Sequence, residues 1–281
     1  MEKPPEYAPP PSSSLAEPPP AYEDAFTEAS ISDADSSHSA VLHIGSFPSR
    51  FNWYYKTRHW KSYTYHLGEH AKLPLFALTF DASWRGTAMS LHRGVDSEKT
   101  LMAEAFSESK ASRHSIILLP SPRDGEQVRE ELHCNVHLSA VTYSFSMRVP
   151  GRLGEKPVVE QFEWRQSHGS EVRSLDRHGW GYKLVRLQSS STIATPPDPV
   201  TKSAGKKAVR HDGLTSDGKE VVAVWADSSE WSKNKTGKFQ FRGSGATGEL
   251  GEDWATFAVM SGLRIWGVVR LGVHGGKSSA S

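Results

Sequence analysis

A chain of 281 residues with 37% hydrophobic and 23% charged residues is long enough for one large β domain or two ordinary domains. Its formal net charge of +1 hides an asymmetry, because residues 1–39 carry a balance of −7 and the remainder carries +8, without a dense run of Lys or Arg that would favour nucleic acid. The single cysteine, Cys134, excludes an intramolecular disulfide and any site built from several thiols. Together with a start that lacks the pattern of a secretory signal, this favours a cytoplasmic location.

Residues 1–39 are predicted to form a disordered, proline-rich, acidic tail. Eight of the first twenty residues are proline, and Ser, Ala and acidic residues fill most of the remaining stretch. Such a segment buries too little apolar surface to offset the conformational entropy lost on ordering. The globular part of the chain is therefore expected to begin near residue 40.

The tail contains the pattern Pro-Pro-x-Tyr twice, at residues 4–7 and 19–22. The prolines of such a motif hold a polyproline II helix that enters an aromatic-lined groove of a WW domain, and the tyrosine fills a second pocket. The tyrosines are fifteen positions apart, so two neighbouring WW domains can engage both motifs and gain avidity. The predicted WW-binding residues are Pro4, Pro5, Tyr7, Pro19, Pro20 and Tyr22.

Beyond the tail, short segments rich in β-branched and aromatic residues recur between Gly, Pro, Asp and Ser signals. About twelve such strands without intervening helices predict an antiparallel β-barrel or sandwich. The predicted strands are residues 52–56, 61–67, 73–80, 87–92, 100–106, 115–119, 129–138, 141–149, 158–166, 182–188, 220–226 and 238–242. A Pro- and Gly-containing stretch at 189–219 is predicted to be a long loop within the same domain.

The segment 254–273 is nearly continuous apolar sequence and is predicted to be a helix buried on all sides. Asp253 is placed to cap its start, and Gly267 is expected to weaken it after roughly four turns. A membrane span is the competing interpretation, but Arg264 and Arg270 make that reading costly. The predicted domain therefore covers residues 40–273, followed by a disordered C-terminus at 274–281.

No catalytic, cofactor-binding or metal-binding residues are predicted, so the chain is not expected to be an enzyme. The glycines at 243, 245 and 248 match a dinucleotide fingerprint in spacing alone, and a turn into the last helix explains them better. His133 and His137 share one face of a strand about 13 Å apart, which is too far to bind one ion directly. Cys134 is predicted to be a buried core residue.

Four sequence segments carry a resemblance to a known superfamily. They are Leu-Pro-Leu-Phe-Ala-Leu at 73–78, Phe-Glu-Trp-Arg at 162–165, Gly-Tyr-Lys-Leu-Val at 181–185 and Val-Val-Ala-Val-Trp at 221–225. With the apolar C-terminal helix, they make residues 45–272 similar to the tubby C-terminal-like superfamily, which includes LURP-one-related proteins and phospholipid scramblases, and to its fungal branch in particular. The resemblance implies a mostly β fold, in which a twelve-stranded antiparallel barrel encloses the helix.

The resemblance also bears on function, because scramblase tails often carry Pro-Pro-x-Tyr motifs. The cysteine-rich palmitoylation stretch and the acidic calcium-binding segment of scramblases are absent here, so scramblase activity is not carried over. The expected function is that of an intracellular interaction protein that binds WW-domain proteins, with HECT-type ubiquitin ligases as leading candidates, as an adaptor or a substrate. Its barrel would bind a further partner or an anionic lipid. The alternative is a peripheral membrane protein that binds or moves phospholipids.

Overall fold

The computed structural model describes most of the chain beyond residue 42. The described residues are 43–59, 62–83, 86–95, 100–109, 112–120, 127–138, 140–151, 156–177, 179–187, 213–228 and 234–271. The predicted tail, most of the predicted loop at 189–219 and the C-terminal segment 274–281 lie outside these ranges. The predictions for those segments therefore stay predictions.

Within the described ranges, short strands and helices follow one another in an order dominated by β structure. The elements are β1 (His43–Ile44), β2 (Phe47–Pro48), β3 (Arg50–His59), β4 (Ser62–Gly68), β5 (Phe76–Ser83), β6 (Gly86–Arg93), β7 (Leu101–Phe106), β8 (Ser115–Leu119), β9 (Val128–Val136), β10 (Val141–Val149), β11 (Val158–Ser167), α1 (Ser170–Leu175), β12 (Gly181–Arg186), β13 (Glu220–Asp227), β14 (Lys235–Phe241), α2 (Gly243–Ala246) and α3 (Glu252–Leu271).

Strands β3 to β14 form a closed barrel in which each strand pairs antiparallel with its neighbours in sequence. Pairing of β14 with β3 closes the barrel, for example Phe239 opposite Phe51. Because side chains alternate along a strand, inward positions are apolar and outward positions are polar, as in β10, where Phe145 and Met147 are buried and Ser146 is exposed. The predicted twelve-stranded antiparallel barrel is therefore confirmed.

Each predicted strand overlaps one strand of the barrel, and the boundaries differ by up to three residues, as at β5. The prediction began this strand at Leu73, but β5 starts at Phe76. Leu73 forms a bridge with His70 in the preceding turn, and its side chain is 69% exposed. The prediction started the strand too early because this turn is apolar, although it does not pair as part of β5.

The interior of the barrel is filled by α3. Every residue from Trp254 to Val268 is buried, and aromatic rings of the helix contact rings of the wall, with 4.5 Å between the ring centroids of Phe257 and Phe145. The predicted buried helix is thus confirmed. No helix among the described residues has the length and apolar character needed to cross a membrane.

One detail of the predicted helix is wrong. The helix begins at Glu252, so Asp253 lies within its first turn and does not cap it. The helix continues through Gly267 to Leu271. A glycine costs roughly 1 kcal/mol in a helix interior, and close packing of α3 inside the barrel outweighs that cost.

Two polar side chains of α3 inside the barrel, Ser261 and Arg264, are hydrogen-bonded to the wall. The indole Nε1 of Trp164 donates to Ser261 Oγ at 2.9 Å. Arg264, which is 1% exposed, donates to Ser115 Oγ at 3.0 Å and to Ser107 Oγ at 2.7 Å. Burial lowers the pKa of Arg264 to about 10, with the Tyr143 hydroxyl acting in the opposite direction, so the side chain stays charged at neutral pH. The arginine that argued against a membrane span is therefore a buried member of the core.

Two short helices were not predicted, and the expectation of strands without intervening helices is wrong at α1, which lies between β11 and β12. Helix α1 follows β11 and buries Val172 and Leu175 in a small cluster against β13. Helix α2 occupies the predicted glycine turn, where a Cβ on Gly245 would lie 2.2 Å from the main-chain oxygen of Val222. Close packing at Gly245, and not phosphate binding, explains the middle glycine of the string.

Alanine substitutions at Gly245 and Gly267 are expected to have opposite effects on stability. At Gly245 the added methyl group meets main chain that must move, so Gly245→Ala should lower the melting temperature. At Gly267 the atoms nearest to an added Cβ lie 3.5 Å from it, which is an ordinary van der Waals contact. The better helix propensity of alanine should therefore raise the free energy of unfolding by about 0.5–1 kcal/mol. Thermal unfolding followed by circular dichroism measures both, and equal changes in the same direction would contradict the packing described.

Candidate binding site

The start of α3 lies at the barrel end where β9 begins and β10 finishes, which we call the α3 N-terminal end. At this end the strands β9 and β10 part from each other. Their ladder joins only residues 133–136 of β9 with residues 141–144 of β10. Both strands continue towards the α3 N-terminal end, over 128–132 and 145–149, and these described stretches do not pair with each other.

A cavity of about 730 Å³ occupies the space between the parted strands, and we call it the β9–β10 cleft. Its floor is formed by the segment that leads into α3, including the buried Leu250. Val159, at its rim, is 59% exposed. The apolar lining residues are Val128, Met147, Val149, Pro150, Pro157, Val159 and Leu250.

The charged groups of the cleft are mostly acidic. Three carboxylates, those of Glu130, Glu252 and Asp253, line it together with one guanidinium, that of Arg148. Burial raises the pKa of the Glu130 carboxyl, and the charge of Arg148 acts in the opposite direction. Glu252 also lies 3.8 Å from the guanidinium of Arg93 and accepts a hydrogen bond from the hydroxyl of Ser46.

A second, smaller cavity of about 340 Å³ shares the acidic first turn of α3 with the cleft. Glu252 and Asp253 line both cavities, and the smaller one extends to Leu101 of β7 and Leu119 of β8. The first turn of α3 therefore presents its two carboxylates to two neighbouring cavities at the same end of the barrel.

A buried ionic cluster fixes the segment that leads into α3. Arg186 donates two hydrogen bonds to the Glu160 carboxylate, at 2.5 and 2.6 Å, and both side chains are almost fully buried. It also donates to Ser244 Oγ at 3.1 Å and to Glu249 at 3.3 Å, and it lies 3.6 Å from Glu220. The bonds to Glu160 raise the pKa of the guanidinium further above its ordinary value. Because Glu249 precedes Leu250, the cluster anchors the segment that forms the floor of the cleft.

None of the described residues that line the cleft was predicted as a binding residue. Pro4, Pro5, Tyr7, Pro19, Pro20 and Tyr22 lie outside the described residues. Cys134 is buried in the core, as predicted, and burial raises the pKa of its thiol, which disfavours the nucleophilic thiolate. His133 is exposed and lies 3.5 Å from Glu131. Within the described part of the chain, no three His, Cys, Asp or Glu side chains are grouped so that they could hold a metal ion.

Comparisons with protein-family models, with curated proteins and with solved structures give no match for this chain. The resemblance to the tubby C-terminal-like superfamily therefore stays a prediction. Function is inferred from the two tail motifs and from the β9–β10 cleft, which the sequence did not reveal. Strand alternation places Glu130 on the inward face of β9, an unusual position for a carboxylate that could have been noticed in the sequence. Nothing in the sequence indicates where β9 and β10 separate.

Proposed function

We propose that the chain is an interaction protein with two binding regions. The Pro-Pro-x-Tyr motifs at 4–7 and 19–22 bind WW domains, and the barrel binds a second partner at the β9–β10 cleft. The observation that carries the proposal is the presence of two motifs within one proline-rich, acidic segment. WW-domain proteins of the HECT-type ubiquitin ligase class are the candidate partners, for which the chain acts as an adaptor or as a substrate.

The architecture of the barrel supports a binding role. Because α3 fills the interior, the space for a ligand lies in the surface cleft, beside residues anchored by the buried Arg186–Glu160 pair. A scaffold that presents a largely apolar cleft with a few charged groups is typical of a recognition site. The membrane alternative requires α3 to contact lipid, and its burial from Trp254 to Val268 does not favour that role.

Replacement of both motif tyrosines is the direct test of the tail. Tyr7→Ala and Tyr22→Ala together should eliminate binding to a tandem WW-domain protein, because the prolines then lack the residue that fills the second pocket. Either single variant leaves one motif intact, so it should lose only the avidity gain, which is about 10² to 10⁴ in affinity. Isothermal titration of the full chain with a tandem WW protein measures all three variants.

The matched control is a double substitution in the same tail outside both motifs, Pro9→Ala with Pro10→Ala, which should leave the affinity unchanged. If the motifs act one at a time, each single variant halves the binding capacity at constant affinity. Undiminished binding by the double tyrosine variant would refute the WW-binding role.

A further inference from the structure

We propose that a row of aromatic rings inside the barrel carries one-electron oxidation inwards, and that the oxidation comes to rest on Trp266 when its indole proton passes to Asp227. We call these rings the aromatic row. They belong to Trp180, Trp225, Trp53, Trp266, Tyr65 and Tyr55. Indole and phenol rings are among the side chains that lose an electron most readily. The proposal concerns a chemistry separate from partner binding, so it does not depend on the function proposed above.

One branch of the aromatic row starts at Trp180, which is partly exposed. The ring centroids of Trp180 and Trp225 are 5.6 Å apart, and those of Trp225 and Trp53 are 6.4 Å apart. The centroid of Trp53 lies 5.7 Å from that of Trp266 on α3. These are the separations of rings in edge-to-face contact. An electron taken from Trp180 can therefore be replaced, ring by ring, from Trp266.

The second branch starts at Tyr55 of β3, which is also partly exposed. Its ring centroid lies 5.8 Å from that of Tyr65, and the centroid of Tyr65 lies 5.1 Å from that of Trp266. Both branches are built from rings in contact, and they meet at the same indole. Oxidation at either partly exposed end can therefore reach Trp266.

The indole N–H groups decide where the oxidation stays. An indole that has lost an electron is a cation that readily gives up the proton on Nε1, provided that a base is in reach. Trp53 and Trp225 are fully buried, and within the part of the chain that the structure describes their Nε1 atoms meet no acceptor. Such orphaned donors are uncommon in protein cores. Because a buried cation is unfavourable, these two rings pass the charge on instead of holding it.

Trp266 differs because its Nε1 donates a hydrogen bond to Asp227 Oδ1 at 3.3 Å. The carboxylate of Asp227 is buried and also accepts a hydrogen bond from Arg270 Nε at 3.0 Å. Burial raises the pKa of this carboxyl, with the bond from Arg270 acting in the opposite direction. Asp227 therefore takes up a proton more readily than an exposed aspartate. Proton transfer leaves an uncharged indolyl radical beside an uncharged carboxyl group.

The step moves one electron and one proton. A one-electron oxidant outside the barrel takes an electron from Tyr55 or Trp180, and the vacancy passes along the row to Trp266. The N–H bond of Trp266 breaks and an O–H bond forms on Asp227. A reductant of the thiol class reverses the step by returning the electron, after which the proton goes back to the indole nitrogen. Oxidation held in this way stays reversible, whereas oxidation of a buried methionine places a polar sulfoxide in the core.

A photo-oxidant attached beside the aromatic row tests the proposal on the full chain. Lys56 is exposed and follows Tyr55, while Cys134, the sole native cysteine, is buried. A ruthenium tris-bipyridine label can therefore be placed selectively on the variant Lys56→Cys. A light flash in the presence of a soluble electron acceptor generates ruthenium(III) at that position. We expect transient absorption and electron paramagnetic resonance to show a neutral tryptophanyl radical in place of a tyrosyl radical on Tyr55.

Three further substitutions in the labelled chain locate the radical. Trp266→Phe should lose the neutral tryptophanyl signal and leave a tyrosyl radical. Asp227→Asn keeps a hydrogen-bond acceptor but removes the base, so it should shift the signal to that of a tryptophan radical cation. Trp254→Phe is the matched control, because Trp254 is also buried on α3 but lies outside the aromatic row. It should behave like the labelled chain, and circular dichroism melting curves show whether all three keep the fold.

A tyrosyl radical as the sole product in the labelled chain with native core residues would overturn the proposal without use of any core variant. So would the same signal from Trp266→Phe and Trp254→Phe. A neutral tryptophanyl radical that persists in Asp227→Asn would show that Asp227 is not the proton acceptor, and the proposal would fail there. The titration with WW domains reads the tail, so neither result decides the other.

Discussion

A chain that ends at Gly251, without α3, is expected to lose the barrel fold and to be recovered only as an aggregated or unfolded protein. The helix places two tryptophans, Trp254 and Trp266, and a run of other apolar side chains in the barrel interior. Full burial of each large apolar side chain stabilises a fold by roughly 1.5–3 kcal/mol. Their combined loss exceeds the net stability of 5–15 kcal/mol that is usual for a domain. Size-exclusion chromatography and a urea unfolding curve measure the outcome.

The matched control for this truncation is a chain that ends at Leu271, the last residue of α3. It keeps every buried residue of the helix and should unfold cooperatively, like the full chain. A monodisperse, cooperatively unfolding chain that ends at Gly251 would show that the barrel stands without its central helix. The assignment of α3 as the core of the barrel would then be wrong.

Substitution of Glu160 by glutamine is expected to lower the free energy of unfolding by about 3 kcal/mol. Glutamine has the same size but no charge, so buried Arg186 loses the carboxylate to which it donates two hydrogen bonds. Removal of one partner from a buried ion pair leaves an uncompensated charge, which typically costs about 3–5 kcal/mol. Glu249 and Glu220 remain near the guanidinium, which places the expected loss at the lower end. Urea unfolding of the full chain measures it.

Glu163→Gln, three residues along the same strand, is the matched control. Glu163 accepts a hydrogen bond from Arg165 at 2.6 Å on the outward face, where both side chains are more exposed and Arg165 keeps Asp217 as a second partner. Pairs at the surface contribute about 1 kcal/mol or less. A loss as small at Glu160 as at Glu163 would show that the Arg186 cluster does not anchor the segment that leads into α3.

The strands could be predicted because apolar and polar residues alternate along a barrel strand, and this alternation is visible in the sequence. In β10 the inward positions carry Tyr143 and Phe145 and the outward positions carry Ser144 and Ser146. The helix α3 could be predicted because it is apolar on every side, which only an enclosed helix tolerates in a protein core. Both signals are local, so they can be recognised in the sequence without knowing which segments pack against each other.

The remainder depends on contacts between distant segments. Helix α1 has six residues, too few for a helical period to be recognised. Arg186 on β12 forms an ion pair with Glu160 on the neighbouring strand β11. Only the pairing register shows that both side chains face inward. The β9–β10 cleft depends on where a ladder stops, which no local pattern in the sequence marks. The sequence therefore predicted the barrel and its buried helix but not the β9–β10 cleft.

Closure of the barrel through β14 and β3 has a consequence for biosynthesis. Thr236 of β14 donates a hydrogen bond to the main-chain oxygen of Trp53, a residue 183 positions earlier in the chain. At translation rates of about 5–20 residues per second, the first barrel strand waits roughly 10–40 s for its last partner. During that time its free edge and its apolar face are open to other chains. The nascent chain therefore keeps an edge that can pair with other chains until the final strand has emerged.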